Sequence, residues 1–140
     1  MATFQKFNQF VEDLAKGVHN LSTGQLKVAL TNTAPVAANS VYADLTSPLA
    51  TTNLSGATPF NVTTTSAEQT SGTLSLVLAD LTLTATGAVG PFRYVVLYND
   101  TPTSPDDPLI GFYDYGSPGV TMANTETFLI DFASTTLTIV

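Results

Sequence analysis

Hydrophobic positions in this chain recur at helical spacing only near its beginning, and alternate with a period of two in several short stretches after it. Phe4, Phe7, Val11, Leu14 and Val18 share a helical spacing with Phe10 beside them, while Gln5, Lys6, Gln9, Glu12, Asp13 and Lys16 take the remaining surface. That pattern predicts one helix, with Thr3 as its N-cap and Gly17 as its stop. Three phenylalanines on so short a helix need a hydrophobic seat. Either the helix closes one end of its own sandwich or it docks on a neighbouring subunit.

Leu26-Lys27-Val28-Ala29-Leu30-Thr31 is the first clear strand, ended by Asn32-Thr33-Ala34-Pro35. From Thr73, Leu74, Leu76 and Leu78 alternate on one face, and Leu81 and Leu83 then alternate in the opposite register. A slip of one residue flips the buried face, so a bulge or a bend that changes sheets is expected near Ala79-Asp80. Gly87 and Gly90 turn the chain into a strand from Pro91 to Asp100. There Phe92, Tyr94, Val96 and Tyr98 fall on one face, and Val95 and Leu97 share the other with Arg93, the only arginine. A strand apolar on both sides must be covered on both sides. Leu109 to Tyr115, Glu126 to Phe132 and Thr136 to Val140 complete the set, separated by turn signals at 102–108, 116–119 and 133–134.

Between Pro35 and Gly72 the pattern weakens into Ala, Thr, Ser, Asn and Pro with isolated apolar residues. A structureless loop of that length is unusual in a compact domain, so residues 35–72 are expected to form irregular strands or an extended arm. Thr58 to Thr64 is the expected strand, and a partner surface is one place such an arm could rest. Seven or so short strands after one helix indicate a single all-β domain over residues 1–140: an antiparallel β-sandwich with one short N-terminal α-helix and its connector in residues 1–24. Closure as a jelly roll or as another Greek key is not distinguished by short periodicity.

Composition narrows the function. There is no cysteine among 140 residues, which removes disulfides, thiolate metal sites and cysteine nucleophiles. Threonine (24) and serine (10) occupy 34 positions whereas charged residues make up only 11%, so hydroxyls either simply solvate the outer strand faces or leave a large neutral surface that a partner could cover. A net charge of -7 opposes phosphate binding, and nucleic acid is not an expected partner. Neither a signal peptide nor a membrane-crossing apolar run is expected.

Candidate chemistry is sparse. His19 is the only histidine, sits just past the helix stop and has no G-x-S-x-G partner motif. Asp100, Asp106, Asp107 and Asp114 lie in or near one proline-rich loop that could offer oxygens to Ca²⁺, yet the EF-hand spacing is missing. Asp80, Asp114, Glu126 and Asp131 fall on predicted strands without a spacing that pairs them for glycoside hydrolysis. No catalytic, cofactor or metal residue is assigned, and no enzyme activity is expected. Arg93 on an apolar strand needs an acceptor, with Asp114 or Asp131 as the expected partner, either as an internal pair or at a subunit contact. Tyr94, Tyr98, Phe112, Tyr113 and Tyr115 could in principle stack on sugars, although core and interface packing are the expected uses of these rings.

Residues 2–8 (Ala-Thr-Phe-Gln-Lys-Phe-Asn), Val11-Glu12-Asp13-Leu14-Ala15, the strand and turn from Leu26 to Pro35, and Gly90 to Asp100 together resemble a family of small structural proteins of tailed bacteriophages. The resemblance continues through Pro108-Leu109-Ile110-Gly111 and from Phe128 to Val140, and is weakest between Ser40 and Gly72. It implies a cement, or decoration, protein of jelly-roll fold on the outer surface of an icosahedral capsid, bridging subunits of the major capsid protein as a symmetric homo-oligomer. A two-fold dimer is expected in preference to a trimer. The resemblance brings no catalytic residues, and the residues picked out as structural or interfacial are Arg93, Asp114, Asp131, Phe4, Phe7 and Phe10. The competing expectation is a phage tail or receptor-binding module that recognises surface glycans.

Overall fold

The computed structural model describes residues 2–140 as an antiparallel β-sandwich with one short helix. In chain order its elements are β1 (Gln5–Lys6), α1 (Asn8–Ala15), β2 (Leu26–Thr31), β3 (Asn61–Val62), β4 (Thr64–Thr70), β5 (Thr73–Leu78), β6 (Leu81–Thr84), β7 (Val89–Phe92), β8 (Tyr94–Asn99), β9 (Leu109–Asp114), β10 (Val120–Met122), β11 (Thr127–Ile130) and β12 (Leu137–Ile139), with a 3-10 turn at Tyr42–Asp44. A five-stranded sheet, β1-β9-β8-β2-β3, forms one layer. The other layer is built from β10-β7, β11-β6 and β12-β5-β4.

Four of these pairings nest inside one another: β8 with β9, β7 with β10, β6 with β11 and β5 with β12, all antiparallel. A long hairpin of this kind, rolled up so that its two arms stay paired, has the connectivity of a jelly roll. The bend expected at Ala79-Asp80 is present, because β5 pairs with β4 and β12 whereas β6 pairs with β11. There the Asp80 carboxylate accepts a hydrogen bond from Phe132 N at 2.9 Å, tying the bend to the end of β11.

The main core lies between the layers. Leu26, Val28 and Leu30 from β2 and Val95 and Leu97 from β8 meet Leu76, Leu78, Leu83, Phe92, Ile130 and Phe132 there. The opposite face of the five-stranded sheet carries a second core of Ala29, Tyr94, Val96, Tyr98, Leu109 and Phe112. Every residue of β8 is therefore buried. Phe92 does not share a face with Tyr94 as uninterrupted alternation would require. The strand breaks at Arg93, whose N–H donates to Thr31 O and whose carbonyl accepts from Tyr115 N, so Phe92 joins Val95 and Leu97 in the main core.

The arm covers the second face. Leu45 is buried there, the Tyr42 ring packs on Tyr98 at 5.0 Å, Leu49 N donates to Leu30 O, and Thr31 Oγ1 donates to Thr46 O. Beyond it, Leu54 turns into the main core and bridges Ala85, so one irregular segment clamps both layers. The stretch 35–72, expected as irregular strands or an extended arm that could rest on a partner, is thus irregular up to residue 60 and seated on its own sheet, and it ends in β3 and β4. The strand expected at Thr58 to Thr64 is displaced: only Asn61–Val62 pairs with β2, and the longer strand starts at Thr64.

The helix is shorter than its spacing predicts. Phe7, in extended backbone, takes the N-cap position expected for Thr3, and Val11 is 51% exposed. Gln5 and Lys6 pair with β9 instead, because the open edge of β9 offers ladder hydrogen bonds that outweigh one more costly helical turn. Gly17 ends the helix as expected: at φ 75° it donates to Leu14 O while Val18 N donates to Asp13 O, a Schellman closure.

Candidate interaction surface

Phe7 and Phe10 straddle the edge of the five-stranded sheet. Phe7 packs on Phe112 at 5.2 Å in the second core, whereas Phe10 is fully buried in the main core against His19. Phe4 lies half-buried over the bare backbone of Gly111, where any side chain would collide with its ring, and 5.2 Å from Tyr113. All three rings are therefore seated on the chain's own sheet rather than held out toward a neighbour. Burying a phenylalanine stabilises by about 1.5–3 kcal/mol, which explains why they turn inward.

Arg93 meets Asp114 in a two-pronged ion pair, Nε to Oδ1 at 2.6 Å and Nη2 to Oδ2 at 2.8 Å. β8 and β9 place the pair, since Tyr94 lies opposite Asp114, and the guanidinium also stands 5.1 Å from the Tyr94 ring centre. The guanidinium, followed by the Gly116 N–H, holds the Asp114 carboxyl below the ordinary carboxylate range. Asp131, the other expected partner, is not bonded to Arg93: its Oδ1 accepts from Ala133 N at 2.7 Å, within its own turn. Asp114 and Asp131 nonetheless line one open groove of about 390 Å³ with Ala2, Tyr115 and Leu129. Burial, and after it the Asp131 carboxylate, raises the Tyr115 phenol above its ordinary value, so it stays a donor. Leu129 stands 52% exposed beside these groups. The result is an apolar spot rimmed by acids, with one of them already neutralised.

The remaining candidates are dispersed. His19 is buried at the edge of an open groove that it lines with Leu14, Asn20 and Leu74. Asn99 Oδ1 accepts from Thr101 N, so Asn99 Nδ2 faces the imidazole at 3.2 Å and donates to Nδ1, leaving the proton on Nε2. Asp80 and Glu126, like Asp131, accept from backbone N–H groups. Asp114 sits at the far end of β9 from the aspartate loop, where Asp100 instead pairs with Lys27 at 2.9 Å. Asp107 is raised by burial and by its neighbours Asp106 and Asp100.

Residues that sequence reasoning missed gather under the arm. Tyr42, Phe60 and Asn61 join Tyr98 and Lys27 around a cavity of about 400 Å³. The only signal for them was the scatter of isolated aromatics in the weak region. Comparison of the chain with protein-family models, with curated proteins and with solved structures returned no match.

Proposed function

We propose that the chain is a structural virion protein: a cement protein on the outer surface of a tailed-phage capsid, bridging neighbouring major capsid protein subunits as a homo-oligomer. The observation that carries this reading is the nested jelly-roll pairing, which is the architecture the family resemblance implies. A surface rich in hydroxyls and poor in charge supports it further, because large areas can be covered with little charge desolvation, and many copies on a lattice make weak contacts additive. Leu129 and the Arg93–Asp114 pair are the part of that surface assigned to a neighbour.

A density map of the intact particle tests the proposal. Copies at the junctions of capsomers over the whole head are expected. Copies confined to the tail tip would overturn it in favour of the glycan-recognising tail module. Sedimentation of the free protein is expected to give a dimer, and a monomer or trimer would contradict that assembly.

A further inference from the structure

We infer that the cavity between the arm and the second face of the sheet is a binding site for one neutral sugar ring. Its walls are aromatic on several sides, with Tyr42 and Tyr98 packed together and Phe60 nearby. Aromatic faces are negative and attract the polarised C–H groups of a pyranose. At about 400 Å³ the space falls within the range of small-ligand sites and suits a single ring better than a chain.

Polar groups converge on the same space. Asn61 lines it and has a buried Oδ1 without a hydrogen-bond partner. The terminal torsion of an asparagine is soft, so its amide can turn to offer that oxygen to a ligand hydroxyl while breaking no existing bond of Oδ1. Thr58 adds a hydroxyl, and Lys27 adds an ammonium fixed by Asp100. These are donors and acceptors of the kind that vicinal hydroxyls engage.

Charge disfavours an acidic ligand, because the Lys27 ammonium is already matched by Asp100, and Asp106 and Asp107 lie in the same adjoining loop. Burial, with nearby Asp100 second, keeps the Tyr98 hydroxyl protonated and able to donate. The site is independent of where the protein sits on a virion. Failure of the cement proposal on the particle and failure of sugar binding by the isolated chain are therefore separate results.

The test is an NMR titration of the full ¹⁵N-labelled chain with glucose, galactose and N-acetylglucosamine in turn. Shifts at Lys27, Asn61 and Tyr98 with at least one sugar are expected, together with about tenfold weaker binding in Asn61→Leu, the loss of one well-placed hydrogen bond. Thr58→Val, at an exposed position that leaves the fold intact, is expected to weaken binding in the same direction. No shift with any of the three sugars, shifts away from the cavity, or affinity in both variants unchanged from the natural chain would overturn the inference. Shifts at the cavity produced only by a proline-rich or aromatic peptide would reassign it to a protein partner.

Discussion

The two faces of the five-stranded sheet are both buried, but by different means. One is covered by regular strands whose side chains alternate inward, and the other by an irregular arm held through scattered backbone hydrogen bonds and a few apolar anchors. Regular cover is cooperative, because its paired strands all contribute side chains to one contiguous core. Irregular cover is local, resting on individual contacts such as Tyr42 on Tyr98 and Leu45 on the second core. The arm should therefore open at lower free energy than the sandwich.

The comparison can be broken from the strong side first. Phe132→Ala, at a fully buried ring in the main core, is expected to cost about 3–5 kcal/mol and to lower the midpoint of chemical unfolding for the whole chain. Loss confined to one segment would show that the main core is not one cooperative unit. Leu45→Ala on the second face is expected to cost about 2 kcal/mol, the low end for leucine, because the arm can settle into the gap. Hydrogen exchange should then quicken at Leu49 N and Leu109 N, which the arm holds, while β5 stays protected. Equal loss of protection in β5 would remove the distinction between the faces.

A smaller effect is expected from pH. Burial lowers the pKa of His19, with the Asp13 carboxylate opposing, and protonation would set a second donor against Asn99 Nδ2. The folded pKa lies below the ordinary 6.5, so the unfolded chain binds more protons in that window. Stability is then fully present above pH 6.5 and falls as pH drops toward the folded value. Denaturant melts of the natural chain and of His19→Gln should diverge in slope only there, and parallel pH profiles would sink the assignment. Arg93→Ala should perturb folding least, since the pair is about one-third exposed. On the proposed cement role it is expected to fold as the natural chain does and to lose affinity for capsids in a binding assay, whereas unchanged binding would take Arg93 out of the proposed interface.

The regular face was legible in the chain itself. β2 runs from Leu26 to Thr31 as its alternation predicts, the bend at Ala79-Asp80 follows from a slip in leucine parity, and Phe128, Ile130 and Phe132 alternate inward as expected. The irregular face was not, because its anchors are spaced by the path of the chain over the sheet and not by any period. The helix falls short of its spacing for a related reason: Phe4 and Phe7 stand three apart, as helical neighbours do, yet the edge of β9 draws the residues between them into a strand. Among the site residues, the need of a guanidinium for an acceptor narrowed the partner of Arg93 to Asp114 or Asp131, and the structure selects Asp114. Asp131 is taken by a local turn to Ala133 N, whereas the gathering of Tyr42, Phe60 and Asn61 depends on tertiary structure alone.

The nested pairing also bears on how the chain finds its fold. Leu97 reaches Gly111 across a short connection, and each further pair, Phe92 with Val120, then Thr84 with Thr127, then Leu76 with Leu137, lies outside the one before. Once an inner pair has formed, the next must close only the few residues left between them on either arm, so the entropy of the longest loop is met in short successive steps. A topology of distant contacts thereby acquires a route made of near ones.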